Sequence, residues 1–305
     1  MMITCKNKKS SFRLNILLIV ILTFLIVAVF TPAFLFFKKK HVLVHTLEAK
    51  VEEVTGQMEG EYALLIKDLS FPHEEVAVNI HEKFAAASLI KVPILAAAMQ
   101  AVREGKLSLQ QMVVIQRDEV VGGSGVIKKR KFPVTLSFQE LCEIMIMYSD
   151  NTAANKVIEM VGFEYINAFF NELQLKETVL QRKIMDFSQR EQGVENYMSA
   201  YDIMLLLEKM YYGTLINQEA SELMLSFLKK QQVNDRLPLY LPEDIVVAHK
   251  TGLERGVVHD AGIVFAPGGD YLICMLTKGV KEYTQAKKTI AEVSLLTYNL
   301  FQQYQ

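Results

Sequence analysis

A serine stands three residues ahead of a lysine, Ser88 and Lys91, in the apolar stretch FAAASLIKVP. On a helix that spacing is one turn, so hydroxyl and amine project from one face. Apolar surroundings disfavour an ammonium, lower the lysine pKa and make it a proton acceptor for the serine. The pair is a candidate nucleophile with its base, although S-x-x-K alone recurs by chance.

Two later segments supply partners. Ser149-Asp150-Asn151 lies between apolar helical runs, at a junction whose side chains can face a cleft. Lys250-Thr251-Gly252 closes the strand-like run IVVAHKTG. Together they describe acyl transfer: Ser88 attacks an activated carbonyl and Lys91 relays its proton. Ser149 bridges a proton toward the departing nitrogen, and Lys250 adds positive charge. Lys250 and Thr251 suit a substrate carboxylate, and Gly252 keeps a side chain out of the substrate's approach. The plain alternatives are a helix cap at Ser149 or Asp150 and an ordinary strand end at Lys250.

The surrounding patterns suggest how these residues are held. Residues 41–56 alternate apolar and charged positions at helical spacing and end near Gly56. Glu61–Leu69 and Glu75–Ile80 read as a hairpin turning near Pro72. The Ser88 helix runs on to about Gly105, and helical patterns follow at 137–148, 152–160, 165–173, 200–212 and 217–230. Strands are predicted at 245–251, 261–265 and 271–278, then a closing helix at 283–302. The layout predicts an α+β fold: one antiparallel sheet built from both chain ends, flanked by helices, beside an all-helical lobe.

S-x-x-K, S-D-N and K-T-G in this order form a known signature. With FAAASLIKVPIL, LCEIMIMYSDNTAANKVI and VAHKTG around them, the sequence resembles the penicillin-recognising serine enzymes, above all the class A β-lactamases, over Val44 to Gln302. The resemblance implies a five-stranded sheet, a β-lactam or peptidoglycan-peptide substrate and no metal or organic cofactor. It places the oxyanion hole at the backbone N–H groups of Ser88 and Leu253, substrate amide contacts at Asn151, and an internal tie at Asp150. The family's loop glutamate, which positions the deacylating water, has no clear counterpart in TVLQRKIMDFSQREQGVENYMS. Placing Arg182 on the family's loop arginine puts Ile184 there; a shift of two puts Asp186 there, and Glu191 and Glu195 are further candidates. Without such a base the acyl group would leave slowly, as from a penicillin-binding protein. A D-alanyl-D-alanine carboxypeptidase, another acyl hydrolase on the same scaffold, or a slowly deacylating receptor are the alternatives.

Leu14 to Phe37 is free of charged residues and long enough to cross a bilayer, with no convincing cleavage site after it. It reads as an uncleaved signal anchor between a short tail (1–13) and a juxtamembrane segment (38–43), with the hydrolase domain over 44–305. Lysines flank both sides, so the positive-inside rule favours a cytoplasmic N-terminus only narrowly. The substrates implied by the resemblance place the catalytic domain outside the cytoplasmic membrane of a bacterium, Gram-positive by preference. A net charge of -1 gives no reason to expect nucleic acid. Cys5, Cys142 and Cys274 are too scattered for a disulfide framework or metal site. The basic run at 128–131 reads as a solvated loop, His249 and His259 as packed or hydrogen-bonded residues, and the chain as a monomer.

Overall fold

The computed structural model describes residues 44–56, 58–70 and 75–304. The expected anchor, Leu14 to Phe37, lies outside the described residues, and among these no helix is long and apolar enough to cross a membrane. Leu47–Gln305 form one compact unit. It holds Ser88, Ser149 and Lys250.

Within this unit, helix α1 covers 47–55. The hairpin follows as β1 (Glu61–Asp68) and β2 (Glu75–Val78), paired antiparallel with Leu64 opposite Val78. Strands β7 (Val246–Glu254), β8 (Val257–Phe265) and β9 (Tyr271–Lys278) come from the other chain end. They complete one antiparallel sheet in the order β2-β1-β9-β8-β7. Strands β8 and β9 are buried at nearly every position, so both sheet faces are covered. Alternation divides them: Ala261, Ile263, Leu272, Cys274 and Leu276 join Ala63 and Leu65 in the main apolar core. The closing helix α9 (Tyr283–Phe301) packs on β8, as the sequence pattern predicts.

Helix α2 (Lys91–Arg103) is buried at every position from Lys91 to Met99 and runs through the core. Pro93 falls in its first turn, where no intrahelical partner for an N–H exists. Around it pack α3 (Phe138–Met147), α4 (Asn151–Val161), α5 (Phe163–Glu172), α7 (Ala200–Tyr211) and α8 (Gln218–Leu228). This is the predicted helical lobe.

Smaller pieces escape the periodicity. Strands β4 (Met112–Ile115) and β5 (Val134–Ser137) form a separate ribbon, and β3 (Phe84–Ala85) pairs with β6 (Tyr197–Met198). A five-residue helix, α6 (Phe187–Glu191), sits in the loop 176–199. Cys142 and Cys274 are buried free thiols, and burial pushes both thiol pKa values up.

Candidate active site

Ser88 lies in a 3-10 turn, Ala87–Ile90, that leads directly into α2, rather than in the first turn of an α-helix. The difference favours the chemistry, because three residues make one full 3-10 turn and side chains at i and i+3 eclipse. Lys91 Nζ is 3.1 Å from Ser88 Oγ. Ala87, just before the nucleophile, has a φ of 44°, a strained value for a residue with a side chain.

Ser149 also has a positive φ, 52°, in the junction between α3 and α4. Asp150 explains how the junction holds that shape. Its carboxylate caps α4 through Ala153 N–H (2.9 Å) and accepts from Val126 N–H (2.7 Å) and Ile127 N–H (2.9 Å). A Cβ on Gly125 would stand 2.2 Å from that carboxylate, so the incoming loop needs a glycine there. The internal tie implied for Asp150 is what the geometry displays.

The junction delivers Ser149 to both lysines. Lys91 Nζ donates to Ser149 Oγ (3.1 Å), to the Ser149 carbonyl (2.7 Å) and to Asn151 Oδ1 (2.8 Å). Lys250 Nζ donates to Ser149 Oγ at 3.0 Å and to the Thr251 carbonyl at 3.0 Å. A polar chain thus runs Ser88, Lys91, Ser149, Lys250. Asn151 turns its amide nitrogen to the Gly122 carbonyl at 2.9 Å, which fixes its orientation at the cleft.

Both lysines are fully buried, and burial is the first cause of their perturbation. The Lys91 amine is held well below its ordinary pKa by burial and then by the positive charge of Lys250; Asp150 opposes both. Lys250 is lowered to about 7 by burial, with Asp260 acting against the shift and Arg236 adding to it. An amine that sheds its proton readily sits beside the nucleophile. The second is poised between its two forms.

Ser88, Asn151 and Leu253 line an open cleft of about 620 Å³, whose far wall is loop 176–199 with Ile184, Met185 and Phe187. Gly252 does something other than clear the substrate's path: a Cβ there would stand 3.1 Å from His259 and 3.4 Å from Ala87. It lets β7 press against the nucleophile turn. Thr251 is buried beside it.

The structure places the loop candidates differently. Asn155 on α4 accepts from Ile184 N–H (2.8 Å) and donates to the Ile184 carbonyl (3.0 Å), pinning that residue so that it lines the cleft. Asp186 is two residues on, capping α6 by accepting from Gln189 N–H at 3.1 Å, and is not among the cleft-lining residues. Glu195 lines the cleft but is paired with Arg182 at 2.7 Å. Glu191 lines it too, exposed.

Arg236 was not anticipated from the sequence. It is 1% exposed, pairs with Asp235 at 2.8 Å, leaves Nε without a hydrogen-bond partner and depresses the Lys250 pKa. A lone arginine in VNDRLPL matches no motif, so only folding reveals it. His249 pairs with Asp260 at 2.9 Å and His259 with the Ala85 carbonyl at 2.9 Å, the hydrogen-bonded roles expected for both. Residues 128–131 are exposed. Among the described residues, no group of three or more His, Cys, Asp or Glu side chains is arranged to hold a metal.

Comparison with known proteins gives a consistent picture. The family described as "Beta-lactamase enzyme family" matches residues 46–301. The extended-spectrum β-lactamase PER-1 of Pseudomonas aeruginosa is 24% identical over 74% of this chain and 78% of its own length. The crystal structure of a β-lactamase from Sphaerobacter thermophilus superposes with a TM-score of 0.76 at 27% identity, covering 85% of this chain and 96% of that one. An acyl-enzyme complex of a PBP-A mutant with penicillin-G superposes equally, TM-score 0.76 at 29% identity, over 85% and 97%.

Proposed function

The chain belongs to the β-lactamase enzyme family and is a serine hydrolase of that type, and from this premise we propose that it acts on β-lactams through an acyl-enzyme at Ser88. The carrying observation is the unbroken contact chain from Ser88 through Lys91 and Ser149 to Lys250. Neutral Lys91 takes the Ser88 proton as Oγ attacks the lactam carbonyl. The developing oxyanion is met by the N–H groups of Ser88 and Leu253, donors of the kind that lower a barrier by about 3 kcal/mol each. The C–N bond breaks and the nitrogen receives a proton through Ser149, with Lys250 balancing charge. Lys250 and Thr251 form the receptor for the substrate carboxylate, with the charge of the buried Arg236 acting on Lys250, and Asn151 orients the acyl amide.

Ile184 favours a second reading for the fate of the acyl-enzyme. It is an alkyl group lining the cleft, and it takes the glutamate's place when Arg182 is set on the family's loop arginine, while the Asp186 carboxylate is engaged as a helix cap. We infer that Asp186 takes no part in deacylation and that hydrolysis of the ester is slow. Toward β-lactams that behaviour suits a penicillin-binding enzyme or D-alanyl-D-alanine carboxypeptidase better than a fast lactamase. A membrane anchor over Leu14 to Phe37, an extracytoplasmic catalytic domain and a monomeric state complete the proposal, supported by the apolar run and by where such substrates occur.

The deciding experiment incubates the protein with a chromogenic cephalosporin and a fluorescent penicillin. Ser88-dependent labelling is the expected result, and its absence with both compounds refutes the proposal. Rapid colour change identifies a lactamase, and stable label without colour identifies slow release. The Ile184→Glu variant should shorten the lifetime of the label by about tenfold or more; an unchanged lifetime would remove that position from deacylation.

A further inference from the structure

Four charged side chains form a closed ring at the mouth of the cleft. Arg182 reaches Glu195 through Nε (2.9 Å) and Nη2 (2.7 Å), and Arg190 Nε lies 3.3 Å from the other oxygen of Glu195. Both guanidinium groups also converge on Oε1 of Glu254, Arg182 at 3.1 Å and Arg190 at 2.8 Å. Two positive charges meet two negative ones. The side chains of Arg182 and Glu195 are only 5% and 10% exposed, and those of Glu254 and Arg190 16% and 26%. In so little water, removing one partner strands another charge.

Three members of the ring belong to loop 176–199, and Glu254 alone belongs to β7. Among the described residues, the hydrogen bonds that join this loop to β7 are the two that Glu254 accepts. All four side chains line the cleft with Leu253 and Phe187. We propose that Glu254 is a positioning residue that clamps the loop onto the substrate strand and so limits the size of acyl side chain the cleft admits. This rests on the reading of Ser88 as the residue acylated by β-lactams. With the ring closed, the gap between loop and strand has a fixed width. Without the Glu254 carboxylate, Arg182 keeps Glu195 while the loop loses its bond to β7. A bulkier acyl group can then enter, at the expense of orienting a small one.

The test uses the full-length protein and two β-lactams with the same nucleus, one with a small and one with a bulky acyl side chain. For Glu254→Gln, the ratio of acylation efficiency, bulky over small, should rise about tenfold, through the apparent affinity for the bulky compound rather than its limiting rate, and for Arg190→Gln, which leaves Arg182 bonded to Glu254, it should rise by less. Glu254→Asp, which keeps the charge, should restore most of the original ratio. An unchanged ratio in Glu254→Gln, or an equal loss for both compounds, overturns the proposal. Hydrogen exchange supplies a readout that needs no substrate: residues 176–199 should exchange faster in Glu254→Gln while β8 and β9 keep their protection. Unaltered loop exchange also overturns it. Should the wild-type protein take no label from either compound, the Ser88 reading fails, and the exchange result alone decides the clamp.

Discussion

Two buried lysines stand 3.1 Å and 3.0 Å from the same hydroxyl of Ser149, and the proposed acylation asks opposite protonation states of them. Lys91 must be neutral to accept a proton, and burial together with Lys250 pushes it that way. Lys250 must be charged to receive a carboxylate, and in the free protein it loses its proton through about pH 7. Acylation efficiency should therefore fall in acid as Lys91 becomes protonated and in alkali as Lys250 becomes neutral. Replacing Lys250 with Arg, which stays charged, should remove the alkaline limb of a kcat/KM profile and leave the acid limb in place. An alkaline limb that persists would assign it to another group. The serine and both lysines were legible from residue types and spacing. Arg236, Glu254 and the pinning of Ile184 by Asn155 were not, because each acts across the chain fold rather than within a motif.

At the scale of elements, the active site depends on joints more than on the helices and strands themselves. Asp150 serves three backbone N–H groups from two segments, and it is 1% exposed. Asp150→Ala should cost about 3 kcal/mol in thermal or denaturant unfolding, since three buried donors lose a charged acceptor. His259 is a second joint. Nδ1 accepts the Thr277 N–H at 3.0 Å, which fixes the tautomer, and Nε2 donates to Ala85 on β3. Burial lowers its pKa from 6.5 to about 4. As pH falls through that interval the unfolded chain gains a proton that the folded chain refuses, so stability declines by about 3 kcal/mol from this group. Urea titrations at pH 7 and pH 4 should show that His259→Gln lacks this share of the acid sensitivity. The larger elements follow their sequence patterns: the strand read at 271–278 is observed at Tyr271–Lys278 and the helix read at 283–302 at Tyr283–Phe301. Met112–Ile115 and Val134–Ser137 went unread because four residues are too few to establish a period, and Met112 and Val114 are exposed rather than core.

For the whole molecule, the antiparallel sheet from both chain ends was legible because its apolar runs are long and well separated. The proposed anchor gives a direct test: after cell fractionation the full chain should sediment with membranes, whereas a chain beginning at His41 should remain in the supernatant and still take penicillin label at Ser88. A full chain found in the supernatant would remove the anchor from the proposal.

The order β2-β1-β9-β8-β7 places the last-synthesised strand at the centre. Until residues 271–278 emerge from the ribosome, β1 and β8 have no strand between them, and the halves that carry Ser88 and Lys250 share no sheet. A nascent chain ending before Tyr271 would hold the nucleophile without the strand order that brings Lys250 to it. Acylation competence should thus arrive in one step once β9 has been made, and a chain stopped at Asp270 should be inert rather than a weak enzyme.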